Sequence, residues 1–444
     1  MSLSSENVET APNAGYSSVP ATSDAGPFQA STEDCIQRTG MKWSETVPGT
    51  IPAWVAETDF RLPPSVESVL VRAVTSGDVG YRPSDETSPL RASWSRHLAT
   101  EWGVDVDPDS VFGVPGVVTG LYASIRAFTK PGGEVVVTTP VYAPFLDAPG
   151  ELGRHRVDVP LVDDGSRWRL DLDGIDRAFA GGARLLLLCH PHNPTGTVFE
   201  RSELVELARI AAQRGAVVVS DEVHAPVTYA GTDFCSYAEV AGPEHCVVLV
   251  SMSKAMSFAG LLCGAAIVGA AWRDEWLAIP RRLRSGPSLL GVLATEAALE
   301  PPAQEWLRQM VTLLGSHRDR LAATLDEAFP GVVHRAPEAG YLYWADFSDT
   351  SIAGDPVAAF ADVGLRVETG NYFVDSSSDD YAGHVRINFG TSDEIFTEML
   401  DRITAAGHAH DAATRSSAIP TSATPTSATP TPRTTTPRTT KDTQ

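Results

Sequence analysis

The sequence predicts an α/β protein: a large domain on a mostly parallel sheet with helices on its faces, and a smaller α+β domain. Three observations carry this. Apolar runs over 134–138, 183–189, 216–220 and 246–250 are continuous and rich in valine or leucine, as strands buried on both faces must be. Segments of helical period lie between them, the alternation that builds parallel strands through crossover helices. Just past the carboxyl end of these runs come polar or conformationally special residues, at the edge where open α/β sheets bind ligands.

Taken in order, residues 1–30 are polar and rich in Ser, Ala, Pro and Gly, and a disordered arm is expected there. Residues 31–75 are assigned to the amino-terminal part of the small domain. They include Trp43, read as plain packing, and the loop-like stretch Trp54-Val-Ala-Glu-Thr-Asp59-Phe60. Pro63 and Pro64 precede an amphipathic helix over 65–75, proline being favoured at a helix start. The large domain is placed over 76–302. It opens with a turn at Gly80-Tyr81-Arg82-Pro83 and a helix over 89–101, whose Leu90, Trp94 and Leu98 fall at helical spacing. A strand over 110–113 passes through Gly116-Val117-Val118-Thr119 into a helix ending at Thr129. The strand over 134–138 leads to Tyr142, and that over 183–189 to Asn193-Pro194-Thr195-Gly196. A helix over 200–213 precedes the strand 216–220 and Asp221-Glu222-Val223-His224, and the strand 246–250 delivers Ser251-Met252-Ser253-Lys254. After Pro301-Pro302 a long helix over 303–329 opens the carboxyl-terminal small domain, 303–410, with strands near 340–345 and 384–389. A disordered Ser/Thr/Pro-rich tail is expected over 411–444.

A chain of 444 residues has room for two domains, and 43% hydrophobic residues suffice for a substantial core. A formal net charge of −22 argues against nucleic acid or an anionic membrane surface as partner. The 5 cysteines are odd in number and lack C-x-x-C spacing, which fits reduced thiols better than disulfides or zinc. No signal peptide and no apolar run of membrane-spanning length is seen, so a cytoplasmic protein with no membrane partner and no metal is expected.

A lysine where a buried strand ends, between two hydroxyls, suits Schiff-base chemistry: desolvation lowers the ammonium pKa and supplies free amine. Alone, the short Ser251-x-Ser253-Lys254 fits a surface lysine in a strand-to-loop turn better. With Asn193-Pro194-Thr195-Gly196 and Ser220-Asp221-Glu222-Val223-His224 before it and Arg386 after it, the chain resembles fold-type-I pyridoxal-phosphate (PLP) enzymes of the class I/II aminotransferase superfamily, over residues 45–405. The resemblance implies a seven-stranded-type sheet and assigns roles. Lys254 carries the cofactor and Asp221 keeps its ring nitrogen protonated. Asn193 and His224 face the phenolate oxygen, although His224 serves as well as a structural histidine. Tyr142 stacks on the ring. The phosphate rests on Gly116, Val117 and Val118 at a helix start, with the hydroxyls of Ser251 and Ser253. Arg386 clamps the carboxylate of an amino-acid substrate, with Trp54 and Asp59 also on the substrate side. Tyr81 reaches the phosphate of a neighbouring subunit, implying a homodimer with active sites at the interface.

Within the superfamily the chain is most similar to the MalY/PatB-type cystathionine β-lyases, through Trp54 to Phe60, Pro115 to Val118, Ile125 to Thr129, Pro140 to Phe145, Leu186 to Pro194 and Ala294 to Ala297. It departs at Leu262, where the superfamily often has Arg or Gln near the phosphate, and at Ala255-Met-Ser-Phe258. The resemblance implies a carbon–sulfur β-lyase yielding thiol, pyruvate and ammonia. An aminotransferase, or a decarboxylating or deaminating enzyme of a specialised pathway, shares the same first half of the reaction. A PLP-binding regulatory protein is a further possibility, although it gives no reason to keep Lys254 with Asp221.

Overall fold

Seven strands form one sheet in the computed structural model, which describes residues 28, 30–85, 87–375 and 378–417. Except for residues 28 and 30, the expected arm lies outside the described residues, as does the expected tail from 418 onward. The strands are β1 (Val111–Val114), β2 (Glu134–Thr139), β3 (His155–Pro160), β4 (Leu185–Cys189), β5 (Val217–Asp221), β6 (Val247–Val250) and β7 (Gly264–Val268), in the spatial order β1-β7-β6-β5-β4-β2-β3. All run in one direction except β7, which is antiparallel to both its neighbours. The strands resist water on both faces because successive side chains alternate between two cores. Val136, Leu186, Val218 and Val248 join one apolar cluster, while Val135, Leu185, Val217 and Val247 join the other. Leu185 to Leu188 expose no surface, each contributing about 2 kcal/mol by area, an upper figure since unfolded chains already bury some of it.

The helices start and stop where local chemistry dictates. Helix α1 (Pro64–Ser76) has proline in its first turn and ends on Gly77 at φ 75°. Helices α2 (Leu90–Glu101) and α3 (Val117–Phe128) follow. Helix α4 (Arg201–Arg214) opens with a reciprocal capping box between Glu200 and Glu203 and closes on Gly215 at φ 61°. Helix α5 (Pro301–Ala328) runs 28 residues.

The small domain carries β8 (Val333–His334), β9 (Leu342–Asp346), β10 (Glu368–Thr369) and β11 (His384–Asn388), an antiparallel sheet ordered β8-β9-β11-β10. Helix α6 (Asp393–Ser417) returns against α5, with His317 stacked on Phe396 at 3.9 Å; its last turns extend past the point where the tail was expected to begin. The amino-terminal segment belongs to this part of the molecule. Ile51–Pro52 pairs in parallel with Leu365–Arg366, and the Asn388 N–H donates to the Ala53 carbonyl at 2.8 Å. Among the described residues no helix is long and apolar enough to cross a membrane, and no cluster of His, Cys, Asp or Glu is placed to hold a metal ion. All five cysteines are free and buried.

Candidate active site

The carboxyl ends of β1, β2, β4, β5 and β6 open onto one cavity of about 240 Å³. Each delivers a side chain or backbone group because a buried strand must stop where the chain meets solvent. Strand β5 ends at Asp221, whose carboxylate is buried and accepts one backbone hydrogen bond, from the Val223 N–H at 3.1 Å. Burial pushes its pKa up to about 7; that N–H and the distant charge of Lys254 oppose the rise. Past β6, Lys254 turns back into the cavity and its Nζ donates to the Ala56 carbonyl at 3.0 Å. Burial lowers its pKa, with Glu57 acting against and Arg386 with that shift.

Past β4, the Asn193 side chain lines the cavity while its Oδ1 accepts from Arg386 Nη1 at 3.1 Å. Tyr142, just past β2, forms another wall, and burial raises its hydroxyl pKa. Gly116 caps α3 in extended backbone (φ 175°), so the first N–H groups of α3 stand at the cavity with no partner inside the helix. His224 also lines it; burial brings its pKa down to about 3, so the ring is neutral, and its Nδ1 is buried without a hydrogen-bond partner.

Arg386, on β11, lies just behind this wall. It is buried, its Nη2 donates to the Trp54 carbonyl at 2.5 Å, and its plane lies over Phe373 at 4.8 Å. No carboxylate of the described residues is within ion-pair distance of it, and its Nε has no partner. A buried guanidinium hydrogen-bonded only to neutral acceptors, with Glu368 across the strand pair acting on it from beyond ion-pair distance, can still take an anion.

Other expectations fall differently. Ser253 lines the cavity, but the Ser251 hydroxyl donates to the Cys263 carbonyl at 2.8 Å and accepts from the Ser253 N–H, so it ties the loop together and leaves the phosphate to others. Asp59 is an internal anchor. Its two oxygens take Lys42 Nζ and Trp43 Nε1, both at 2.7 Å, and none of the three groups meets the cavity. The backbone turns tightly between them, the Glu57 N–H reaching the Val55 carbonyl, so Trp54 and Asp59 point apart. Trp54 meets Arg386 through its carbonyl, while its indole lies under the Arg366 guanidinium at 3.8 Å. Tyr81 is fully exposed and stands away from this chain's own cavity. Leu262 lines the cavity half-exposed, in left-handed backbone at φ 53°; Ser257, in the same loop, has φ 50°. Non-glycine residues held there are strained, and such strain clusters at binding sites.

Three groups were not anticipated. The Ala56 carbonyl is a backbone atom and leaves no trace in residue type. Tyr341 shares its hydroxyl between the carbonyls of Ala56 and Lys254, at 3.2 and 3.1 Å; its position in a buried β run hid it among core aromatics. Asn388 follows Arg386 by two residues and lies on the same face of β11.

The residues present fit a phosphorylated, cationic, aldehyde-bearing ring. An amine faces the cavity, a buried carboxylate lacks a close cation, a helix start offers free N–H groups, and the aromatic Tyr142 lines the wall. These features define a PLP-dependent enzyme of fold type I. The chain belongs to the aminotransferase class I and II family, whose profile matches residues 59–403. It is 33% identical over 376 residues to a cystathionine beta-lyase of Corynebacterium glutamicum, covering 84% of this chain and 98% of that one. To the cystathionine beta-lyase PatB of Bacillus subtilis it is 30% identical over 389 residues, with 84% and 98% covered. A provisionally assigned PLP-dependent beta-cystathionase from Corynebacterium diphtheriae superposes with a TM-score of 0.79 at 33% identity, covering 86% of this chain and 99% of that one.

Proposed function

We propose that the chain is a carbon–sulfur β-lyase that converts an S-substituted L-cysteine, cystathionine among them, to a thiol, pyruvate and ammonia. The observation that carries this is the distribution of charge in and behind the cavity. One buried guanidinium, Arg386, has no carboxylate within ion-pair distance among the described residues, Glu368 on β10 acting on it from further off, and suits the substrate's α-carboxylate; among the described residues the only cation lining the cavity itself is Lys254. The remaining rim includes Val118, Ala259 and Leu262, which suits the thioether arm of an S-substituted cysteine. The β-lyase relatives, matched along nearly their whole length, support the same reading.

PLP, when bound, supplies an electrophilic carbon for an amine and a cationic ring that accepts the electron pair left at Cα. The chain's own residues do the rest. Arg386 fixes the α-carboxylate and thereby which Cα bond faces the ring. Asp221 would pair with the ring cation, which would keep its carboxylate ionised despite burial. Lys254 Nζ, its pKa lowered by burial, takes the proton from Cα. The sulfur leaves Cβ with the bonding pair and a proton, and water completes pyruvate and ammonia. Tyr142 and Val223 line the site and would help to exclude water from it. We place the enzyme in the cytoplasm as a homodimer, Tyr81 being an exposed aromatic suited to reach across to a second copy.

The test is product partition. The full chain with PLP, given L-cystathionine or an S-alkyl-L-cysteine, is expected to release thiol, pyruvate and ammonia in equal amounts. A sulfur-bearing 2-oxo acid with no free thiol would make the enzyme an aminotransferase instead.

A further inference from the structure

We infer that Asn388 is a positioning residue for the amine of Lys254, acting through the backbone of residues 53–59. The inference rests on the reading of Lys254 as the cofactor-bearing lysine. Asn388 Nδ2 donates to the carbonyls of Val55 and Glu57, at 2.5 and 2.7 Å. Its Oδ1 accepts from the Gly390 N–H at 2.7 Å, and its own N–H reaches the Ala53 carbonyl. All of its polar groups near this segment are therefore committed, and the side chain is buried. The two carbonyls it grips flank Ala56, whose carbonyl points the other way and accepts from Lys254 Nζ at 3.0 Å and from the Tyr341 hydroxyl. One amide thus fixes the orientation of the peptide units that present an acceptor to the catalytic amine.

The segment is anchored at three further points. Arg386 Nη2 holds the Trp54 carbonyl, and the Asp59 N–H donates to the Gly390 carbonyl, so β11 and the residues after it secure its small-domain side. On the lysine side, the Ser257 hydroxyl accepts from the Thr58 N–H at 2.8 Å and pairs with the Thr58 hydroxyl at 2.6 Å. Ser257 sits in left-handed backbone to make that contact, a strain the loop carries three residues past Lys254. Arg386 and Asn388 share a strand face, so the strand that would recognise the substrate carboxylate also sets the acceptor of the lysine.

A carbonyl acceptor favours the ammonium form of Lys254 against burial, which favours the neutral amine. Loosening the segment removes that acceptor, and the amine's pKa falls. The experiment follows capture of added PLP by the full chain freed of cofactor, through its visible absorbance band, across pH. Asn388→Ala is expected to move the midpoint of the capture rate down by about one to two units, the size one hydrogen bond to a charged group accounts for. In steady state kcat falls at least about tenfold with KM changed less than about threefold, since the lysine and not substrate binding is disturbed. Asn388→Gln, which keeps the amide donor on a longer arm, is expected to restore part of the midpoint. If Asn388→Ala does not accumulate as folded protein, Ser257→Ala loosens the opposite anchor and is expected to shift the midpoint the same way. A folded variant with wild-type midpoint and kcat, or with a loss in melting temperature alone, overturns the inference. Lys254→Ala separates the two readings: if the wild type forms no band that depends on Lys254, the assignment of the lysine itself fails.

Discussion

Asp221 is a carboxylate kept from water with a single N–H to compensate it, and that has a measurable consequence. An acid whose folded pKa is raised, here from 3.8 to about 7, keeps its proton in the fold while the unfolded chain releases it. Its effect is absent below about pH 4 and destabilises the fold increasingly as pH rises to 7, by about 4 kcal/mol at most. The ring cation of PLP reverses this by lowering the pKa again. With cofactor removed, Asp221→Asn is expected to melt higher than the wild type at pH 8 and nearly alike at pH 3. With PLP added, the wild type should gain more at pH 8 than the variant. Equal pH dependence of the two proteins without cofactor would show that Asp221 is not held this way. At this scale the sequence was readable where a residue type is needed for its chemistry: Lys254, Asp221, Asn193 and Tyr142 all reach one cavity. It was misleading for Asp59 and Ser251, because proximity along the chain says nothing of which way a side chain turns, and both are taken by internal partners.

Among the elements, the buried parallel strands were legible because continuous valine and leucine runs have few other uses, and their ends locate within two residues of expectation. Two strands of the seven-stranded sheet were not. The edge strand β3, His155-Arg-Val-Asp-Val-Pro160, is mostly polar because one neighbour and partial exposure ask little of it. The antiparallel β7, Gly264-Ala-Ala-Ile-Val268, is made of small residues that fit between β1 and β6, and reads as a loop continuing from the lysine. The turn after β4 shows how tightly these elements abut. Gly196 has φ +70°, and a Cβ there would lie 2.3 Å from Pro337 Cβ; its carbonyl accepts from the Glu338 and Ala339 N–H groups. Gly196→Ala is expected to cost about 2–4 kcal/mol from overpacking and backbone strain together. Urea unfolding of the PLP-saturated protein reads this directly, and a loss under about 0.5 kcal/mol would mean that the turn relaxes freely.

For the whole molecule, the segment from Ile51 to Asp59 ties together parts that are far apart in the chain, linking Leu365, Asn388 and Lys254. Such links run through backbone carbonyls, which is why no residue pattern announces them. Assembly is the other property at this scale. If Tyr81 completes the site of a second copy, two variants inactive alone should rescue each other. Mixed and refolded together, Tyr81→Ala and Lys254→Ala are expected to recover about one quarter of wild-type activity, since half the dimers are hybrids with one intact site. No recovery, with hybrids formed, would place Tyr81 outside the site.

The assignment of the cofactor to one amine is open to direct chemical trapping, helped by a sequence with only four lysines: Lys42, Lys130, Lys254 and Lys441. Borohydride reduction of the PLP-loaded chain followed by peptide mapping is expected to leave the phosphopyridoxyl group on the Lys254 peptide alone. Label on Lys42, Lys130 or Lys441 in place of Lys254, or no label at all, would contradict the account.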